Sequence, residues 1–199
     1  MQTRSPQKRR TVTRNSLIAA ACDIVTENGF GALRVEDIVA RAKVAKGTFF
    51  AHFEDKDRLM ALLIGQEMDA VLQRIDDAPQ PQTIAELAQA IVPLMDCIGQ
   101  DRIVFDVVLR FSGAAAIETT EKISVNFLKQ VHLYARWLVA IPPDQIRGDV
   151  DPGLLAEGIQ AFMIQVIALR FCALHNSVSM TDRLLPYLVA WLGPVRSQQ

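Results

Sequence analysis

Apolar positions recur at helical spacing along nearly the whole chain, and no segment alternates apolar and polar residues as a half-buried strand would. Between Thr11 and Asn28, Leu17, Ala20, Ala21, Ile24 and Val25 share one face. Gly29 and Gly31 then break the chain around Phe30. The pattern predicts a short helix over Val35–Ala42, with Glu36 and Asp37 in its first turn, where carboxylates complement the free N–H groups. A second short helix is predicted over Ala45–His52. Asp55 stands where an N-cap is needed for a long helix running to about Asp77.

Pro79 and Pro81 make the stretch Asp76–Gln82 a loop. Thr83 then caps a helix carrying Ile84, Leu87, Ala88, Ile91, Val92 and Met95. Past Gly99 a further helix carries Ile103, Val104, Val107, Val108 and Phe111, and Ser112-Gly113 ends or kinks it. A long amphipathic helix is predicted over about Ile117–Ala140. A second loop runs from Pro142-Pro143-Asp144 to Asp151-Pro152-Gly153, and two last helices follow, about Leu154–His175 and Thr181–Leu192. The chain reads as all-α: three helices at the N-terminus, one connector, then five more, about nine in all.

Charge changes this picture. The 199 residues carry a formal net charge of −1, which argues against a nucleic-acid partner only as an average. Residues 1–60 hold 11 Lys and Arg against 7 Asp and Glu, a net +4, and the remainder nets −5. A basic module joined to an acidic one is the reading. The first fourteen residues carry Arg4, Lys8, Arg9, Arg10 and Arg14 with no acidic residue. Such a segment is expected to act as a flexible basic arm that follows phosphates or enters a narrow minor groove.

Cys22, Cys97 and Cys172 are far apart, lie in apolar helical contexts and have no metal-ligand spacing with one another or with His52, His132 and His175. They read as buried free thiols in a reducing cytoplasm, and no metal or cofactor is expected. The apolar run Leu17–Cys22 is six residues and stops at Asp23, short of the roughly 7–15 a signal core needs. The most apolar stretch, Gly158 to Leu169, is twelve residues, short of the ~18 of a membrane span.

The segment from Gly29 to Leu59 reads GFGALRVEDIVARAKVAKGTFFAHFEDKDRL. Its Gly-Phe pair, Val35-Glu36-Asp37-Ile38, Lys46-Gly47-Thr48-Phe49-Phe50-Ala51-His52-Phe53 and Asp55-Lys56-Asp57-Arg58-Leu59 resemble the DNA-binding domain of the TetR family, strongly over about residues 11–65. The resemblance implies a helix-turn-helix domain over 1–57, with its basic arm, and an effector-binding and dimerisation domain over 58–199. Physical reasoning on the residues agrees. Two short helices joined by a tight turn can hold the second in a major groove. Val35, Ile38, Val39, Val44, Phe49 and Phe53 have the spacing to form a core with Leu17, Ile24 and Phe30.

The DNA-facing set is then Arg9, Arg10, Arg14, Arg34, Lys43, Ala45, Lys46, Thr48, Phe50, Ala51, His52 and Lys56. By the resemblance, Lys46, Thr48, Phe50 and His52 face DNA and Lys56 starts a helix at a phosphate. Four positions depart from the family pattern. Lys43 replaces a turn glycine and is expected to be strained, or to alter the turn slightly. Ala45 replaces a capping hydroxyl, Arg34 another hydroxyl, and Phe50 a tyrosine. These changes remove donors and add cations, so phosphate contacts are expected to shift toward charge.

The resemblance further implies a C-terminal effector pocket and a dimer interface. Candidate pocket residues are Met68, Met95, Phe105, Arg110, Phe111, Phe127, Tyr134, Trp137, Phe162 and Met163. Apolar surface with few polar groups predicts a small lipophilic or aromatic effector. Candidate interface residues are Ile159, Val166, Arg170, Leu184, Leu188 and Trp191, on two helices with apolar faces too wide for one pair to bury. Arg170 has no acidic residue three or four positions away and is open to either an anionic ligand or the dimer. The expected function is a sequence-specific transcriptional regulator, a ligand-released repressor binding a pseudo-palindromic operator as a cytoplasmic dimer. The alternative is a helical ligand-binding or scaffold protein with weakened DNA binding. An enzyme is not expected, since no nucleophile–base pair, paired carboxylates, metal cluster or phosphate-binding loop is discernible.

Overall fold

A computed structural model describes residues 6–112, 122–172 and 178–194. Among these residues the secondary structure is helical, with no strand. The helices are α1 (Pro6–Asn28), α2 (Val35–Ala42), α3 (Lys46–Phe50), α4 (Lys56–Asp76), α5 (Ile84–Ile98), α6 (Arg102–Phe111), α7 (Lys122–Ala140), α8 (Pro152–Arg170) and α9 (Met180–Leu192), with a single 3₁₀ turn at Phe30–Ala32. The predicted starts of the seventh helix before Lys122 and the end of the eighth beyond Cys172 lie outside the described residues.

The chain forms two compact units, Met1–Ile64 and Gly65–Gln199, and the division falls inside α4. In the first unit α1 packs on α2, and α2 on α3. Leu17, Ala21, Leu33, Ile38 and Phe49 are buried to within 1% of full enclosure. Burying a side chain such as Ile38 or Phe49 contributes about 1.5–3 kcal/mol. Val35 and Val44 are only half-buried, and Leu33 takes the interior place beside them.

Two expectations for this unit need correction. Residues 6–14 are helical, not a flexible arm. Pro6 suits the first turn of a helix, where its missing N–H is not needed, and Gln7, Lys8, Arg9 and Arg10 are good helix formers. The hydroxyls of Thr11 and Thr13 donate back to the carbonyls of Gln7 and Arg9 at 3.1 and 3.0 Å, which accommodates both threonines. Cys22 is exposed, because Ala20, Ala21 and Ile24 occupy the inward face of α1. Cys97 is buried and Cys172 half-buried.

The second unit is held by α7 on α8 and by α9 on both α5 and α8. Its core includes Leu87, Ile91, Leu94, Met95, Ile159, Met163, Leu184 and Leu188, all fully enclosed. Helix starts are set by side chains that satisfy otherwise free N–H groups. Thr83 accepts from Glu86 N at 3.1 Å while the Glu86 carboxylate accepts from Gln82 N at 2.7 Å, a reciprocal cap. Asp101 accepts from Val104 N at 2.8 Å, and Asp151 from Gly153 and Leu154 N, with Pro152 in the first turn. Gly65 permits a close α4–α7 approach, since a Cβ there would lie 2.6 Å from Cβ of Lys122. Gly158 lies beneath the indole of Trp191, whose N–H donates to the Leu155 carbonyl at 3.0 Å. Among the described residues α8 alone is long and apolar enough to cross a membrane, yet Leu155, Ala156, Ile159, Met163, Val166 and Ile167 on it are buried within the chain.

Candidate nucleic-acid interface and a polar row in the second unit

The turn between α2 and α3 is three residues, Lys43-Val44-Ala45. Lys43 is left-handed at φ 56°, the one described non-glycine residue with positive φ. That conformation ends α2: the N–H of Lys43 reaches Ala40 O at 3.2 Å and the N–H of Val44 reaches Val39 O at 3.0 Å. A lysine held there costs about 1 kcal/mol relative to glycine. Ala45 follows at the N-cap of α3 and offers no side-chain bond, so α3 starts uncapped. It is only five residues, closed by Ala51 N to Gly47 O at 3.1 Å and Phe53 N to Phe49 O at 2.9 Å.

This short helix turns Phe49 inward, where it meets Phe53 at 5.6 Å between ring centroids. Ala45, Lys46, Gly47, Phe50 and Ala51 face outward, with Thr48 and His52 half-buried at the margin. Phe50 leaves half of its surface in water, edge-on to Phe49. Gly47 was not among the expected site residues. A Cβ at Gly47 would meet nothing within 4 Å, so the fold does not require glycine there.

The cations divide into free-standing and paired sets. Arg9, Arg10, Arg34 and Lys43 are exposed. The guanidinium of Arg14 lies 5.0 Å from the Phe53 ring centroid, a cation–π contact that ties α1 to the segment after α3. His52 sits near the same cations: partial burial, then the charges of Arg10 and Arg14, hold its imidazole below its ordinary pKa. Lys46 is paired with Glu36 at 2.6 Å, and the hydrogen bond from Lys46 lowers the Glu36 carboxyl. Arg41 grips Glu27 with two bonds of 2.8 Å. The two acidic partners are ten and fourteen positions away, beyond the local spacings that sequence reasoning tests. Lys56 is half-buried at the start of α4, where Asp55 accepts from Arg58 N at 2.7 Å.

In the second unit, the expected pocket residues Met68, Met95, Phe105, Phe111, Tyr134, Trp137 and Met163 are all buried. Phe127 and Phe162 are half-buried, and Arg110 is exposed. Phe162 stacks on Tyr187 with centroids 5.2 Å apart and meets Trp191 edge-on. Of the expected interface residues, Ile159, Val166, Leu184 and Leu188 are enclosed within the chain's own core, while Arg170 and Trp191 reach the surface. Arg170 lies 3.6 Å from Asp96 on α5, a partner no local spacing discloses. The apolar surface that α8 and α9 do expose is Leu154, Tyr187 and Val189.

The buried side of α7 carries a row of polar-bearing residues spaced at helical intervals: the expected pocket residues Tyr134 and Trp137, and two that sequence reasoning missed, Asn126 and Gln130. Asn126 and Gln130 are the buried polar residues of the described core. Gln160 of α8 donates to Gln130 at 3.1 Å and to the Phe127 carbonyl at 3.0 Å. Gln130 donates to Asn126 at 2.7 Å, and Asn126 donates to Asp69 of α4 at 3.1 Å. Each amide passes its donor toward the carboxylate, so the chain runs in one sense from α8 to α4. Burial pushes the Asp69 carboxyl up, but hydrogen bonds from Lys129 and Asn126 and the charges of Lys129 and Lys122 outweigh it, and the net shift is down. Below this point Asp69, Asp76, Lys129, His132 and Arg136 line a mixed-charge groove of about 270 Å³, with Asp76 bonded to Arg136.

Residues 17–63 match the family model described as bacterial regulatory proteins, tetR family. The repressor DhaR of Mycobacterium sp. (strain GP1) is 28% identical over 156 residues, 74% of this chain and 77% of that protein. Among solved structures, RolR in complex with resorcinol has a TM-score of 0.67 at 17% identity, over 95% of this chain and 91% of that one. Thermus thermophilus FadR in complex with lauroyl-CoA has a TM-score of 0.62 at 16% identity, over 89% and 92%. The two structures establish the same fold.

Proposed function

We propose that the chain, whose residues 17–63 match the tetR family of bacterial regulatory proteins, is a transcription regulator of that family, a repressor released from a pseudo-palindromic operator by a small effector. The observation that carries the proposal is the outward face of α3: Ala45, Lys46, Gly47, Thr48 and Phe50 on a short helix flanked by the cations of α1, Lys43 and Lys56. A helix of that size fits a major groove, its first residues reaching base edges while flanking cations and the start of α4 meet phosphates. Arg34 and Lys43 supply charge where the family pattern has donors. The alternative of a scaffold that has lost DNA binding is not favoured, because no departure from the pattern removes a cation.

A dimer follows from the geometry of such recognition, since two half-sites one turn apart, about 34–36 Å, demand two recognition helices. Leu154, Tyr187 and Val189, with the half-buried Trp191, are the surface on α8 and α9 suited to a second copy. The effector enters the interior of the second unit, where Met68, Met95, Phe105, Phe111, Tyr134, Trp137 and Met163 lie. RolR and FadR, similar in fold, have been solved with resorcinol and with lauroyl-CoA. Helix α4 carries the signal as one continuous element of 21 residues, roughly 31 Å at 1.5 Å per residue. An effector that prefers one setting of this helix shifts operator affinity by that preference alone, typically ~1–3 kcal/mol, and the coupling is reciprocal.

The test is fluorescence anisotropy on DNA taken from upstream of the protein's own coding region, with light scattering on the same samples. A salt-sensitive complex of one dimer per palindromic site is expected. A stable monomer, or absence of sequence preference across competitor DNA, refutes the proposal.

A further inference from the structure

We propose that Tyr134 and Trp137 on α7 are the polar anchor of the effector site, and that the effector they fit is a compact, uncharged, mainly apolar molecule bearing an acceptor oxygen such as a carbonyl. The inference rests on the effector reading above and narrows its chemistry.

The four polar residues of the α7 row divide into two pairs. The amides of Asn126 and Gln130 are bonded into the chain that ends on Asp69. The pair one and two turns further on is not so served. The Trp137 indole N–H is buried with no hydrogen-bond partner among the described residues. The Tyr134 hydroxyl is fully buried and meets only the thioether of Met163, at 3.8 Å. A thioether is a weak acceptor, and the great majority of buried side-chain donors in proteins have a better one. The two rings are neighbours, with centroids 5.8 Å apart.

A core needing only bulk at these places could use phenylalanine and leucine and leave no donor unmatched. A buried indole N–H without a partner, beside a ring whose hydroxyl has only a thioether, instead matches a molecule that brings the acceptor. The indole N–H can only donate, so the complementary group must accept. Burial holds the phenol above its ordinary pKa, which keeps its proton available to donate at neutral pH.

Charge narrows the class further. The buried polar residues of the described core are the two amides alone, with no cation among them. Arg110 is exposed, and Arg136 is exposed and bonded to Asp76. A carboxylate or phosphate carried into this interior would meet no opposite charge, a cost that an apolar core does not offset. Met163, unbranched with three rotatable side-chain bonds, is the wall residue able to move aside.

The test uses the full chain and three probes of nearly one shape: acetophenone, its hydrocarbon isostere α-methylstyrene, and benzoate. Binding is followed by calorimetry and by the two tryptophan indole N–H resonances in ¹⁵N spectra. Acetophenone is expected to shift the Trp137 resonance and to bind about tenfold or more tightly than either other probe. Trp137→Phe should reduce that preference to within about threefold. Tyr134→Phe, which removes one hydroxyl and almost no volume, should keep the fold intact and weaken the preference in part. Equal binding of acetophenone and α-methylstyrene, or a preference that survives both variants, overturns the proposal. Operator release is measured separately. Preference without release leaves the anchor standing and sinks the effector reading, whereas release by α-methylstyrene as readily as by acetophenone does the reverse.

Discussion

Gly47→Ala separates what the fold needs from what the operator needs. The glycine lies in the first turn of α3 with ordinary helical backbone, and a methyl added there touches nothing within 4 Å. Glycine in a helix costs roughly 0.5–1 kcal/mol relative to alanine, through the backbone entropy lost on folding. The lower end applies near a helix start, so the variant should be more stable by about 0.5 kcal/mol. For a domain of this size that raises the melting temperature by roughly 2–4 °C. On the operator the sign reverses. The same methyl stands on the outward face of the helix proposed to enter the groove, where the backbone must come closest to DNA. Its added bulk should lower operator affinity about tenfold or more, about 1.4 kcal/mol or above. Calorimetric melting and anisotropy on one preparation measure both effects. A variant that melts higher and binds the operator unchanged would refute the assignment of this face to DNA.

Lys43→Gly should stabilise the chain by up to about 1 kcal/mol by relieving the left-handed lysine, and should weaken operator binding by removing a cation; unchanged melting would mean the turn carries no strain. Asn126→Ala should cost about 1–3 kcal/mol in denaturant unfolding, since it leaves the buried Gln130 amide without its acceptor. His52 has a depressed pKa in the free protein, so its linkage contribution to stability is intact above the ordinary histidine range and falls as pH drops through that range toward the lower folded value. Phosphates nearby would raise that pKa, so operator affinity should increase on acidification from pH 7.5 to 6, and the increase should vanish in His52→Gln. Glu36→Gln should strengthen binding to all DNA sequences alike and steepen its salt dependence, read as the slope of log affinity against log salt.

Local rules made much of the architecture legible from the residues. The helical spacing of Leu17, Ala20, Ala21 and Ile24 announces an inward face, and the caps at Asp55 and Thr83 follow from short polar side chains just ahead of apolar periodicity. Strain at the turn was signalled by the family pattern, which has a glycine where Lys43 stands, and the structure places Lys43 in the left-handed region. What escaped detection depends on residues distant in sequence. Arg170 has no local acid, yet Asp96 stands 3.6 Å away on another helix. Glu27 and Glu36 occupy two of the first unit's cations from fourteen and ten positions off. The two amides of the α7 row were hidden for another reason. Asn126 and Gln130 on an amphipathic helix are ordinary surface residues by composition, and only packing against α8 turns them inward. Gly47 was passed over because a glycine contributes no side chain to a list of contacts; its significance lies in the empty space around it.

The Lys46–Glu36 pair bears on how affinity is distributed across the first unit. Both ends of the pair are more than half exposed, and exposed ion pairs of this kind are worth little to folding. Its consequence falls on binding. A lysine already facing a carboxylate enters the phosphate field with much of its charge compensated, and the carboxylate follows it there. Contact with a phosphate must then either break the pair or hold Glu36 against the backbone, and both subtract from what a free lysine would contribute. The same reasoning applies to Arg41, gripped by Glu27 through two bonds. It does not apply to Arg9, Arg10, Arg34 and Lys43, which are exposed and for which no such pair is seen. If this unit binds DNA as proposed, the net electrostatic attraction should therefore rest on α1 and the turn more than on α3 itself. On the proposed reading that division would leave α3 to discriminate sequence through Thr48 and the exposed Phe50 ring, with Glu36→Gln the substitution that exposes the masked charge.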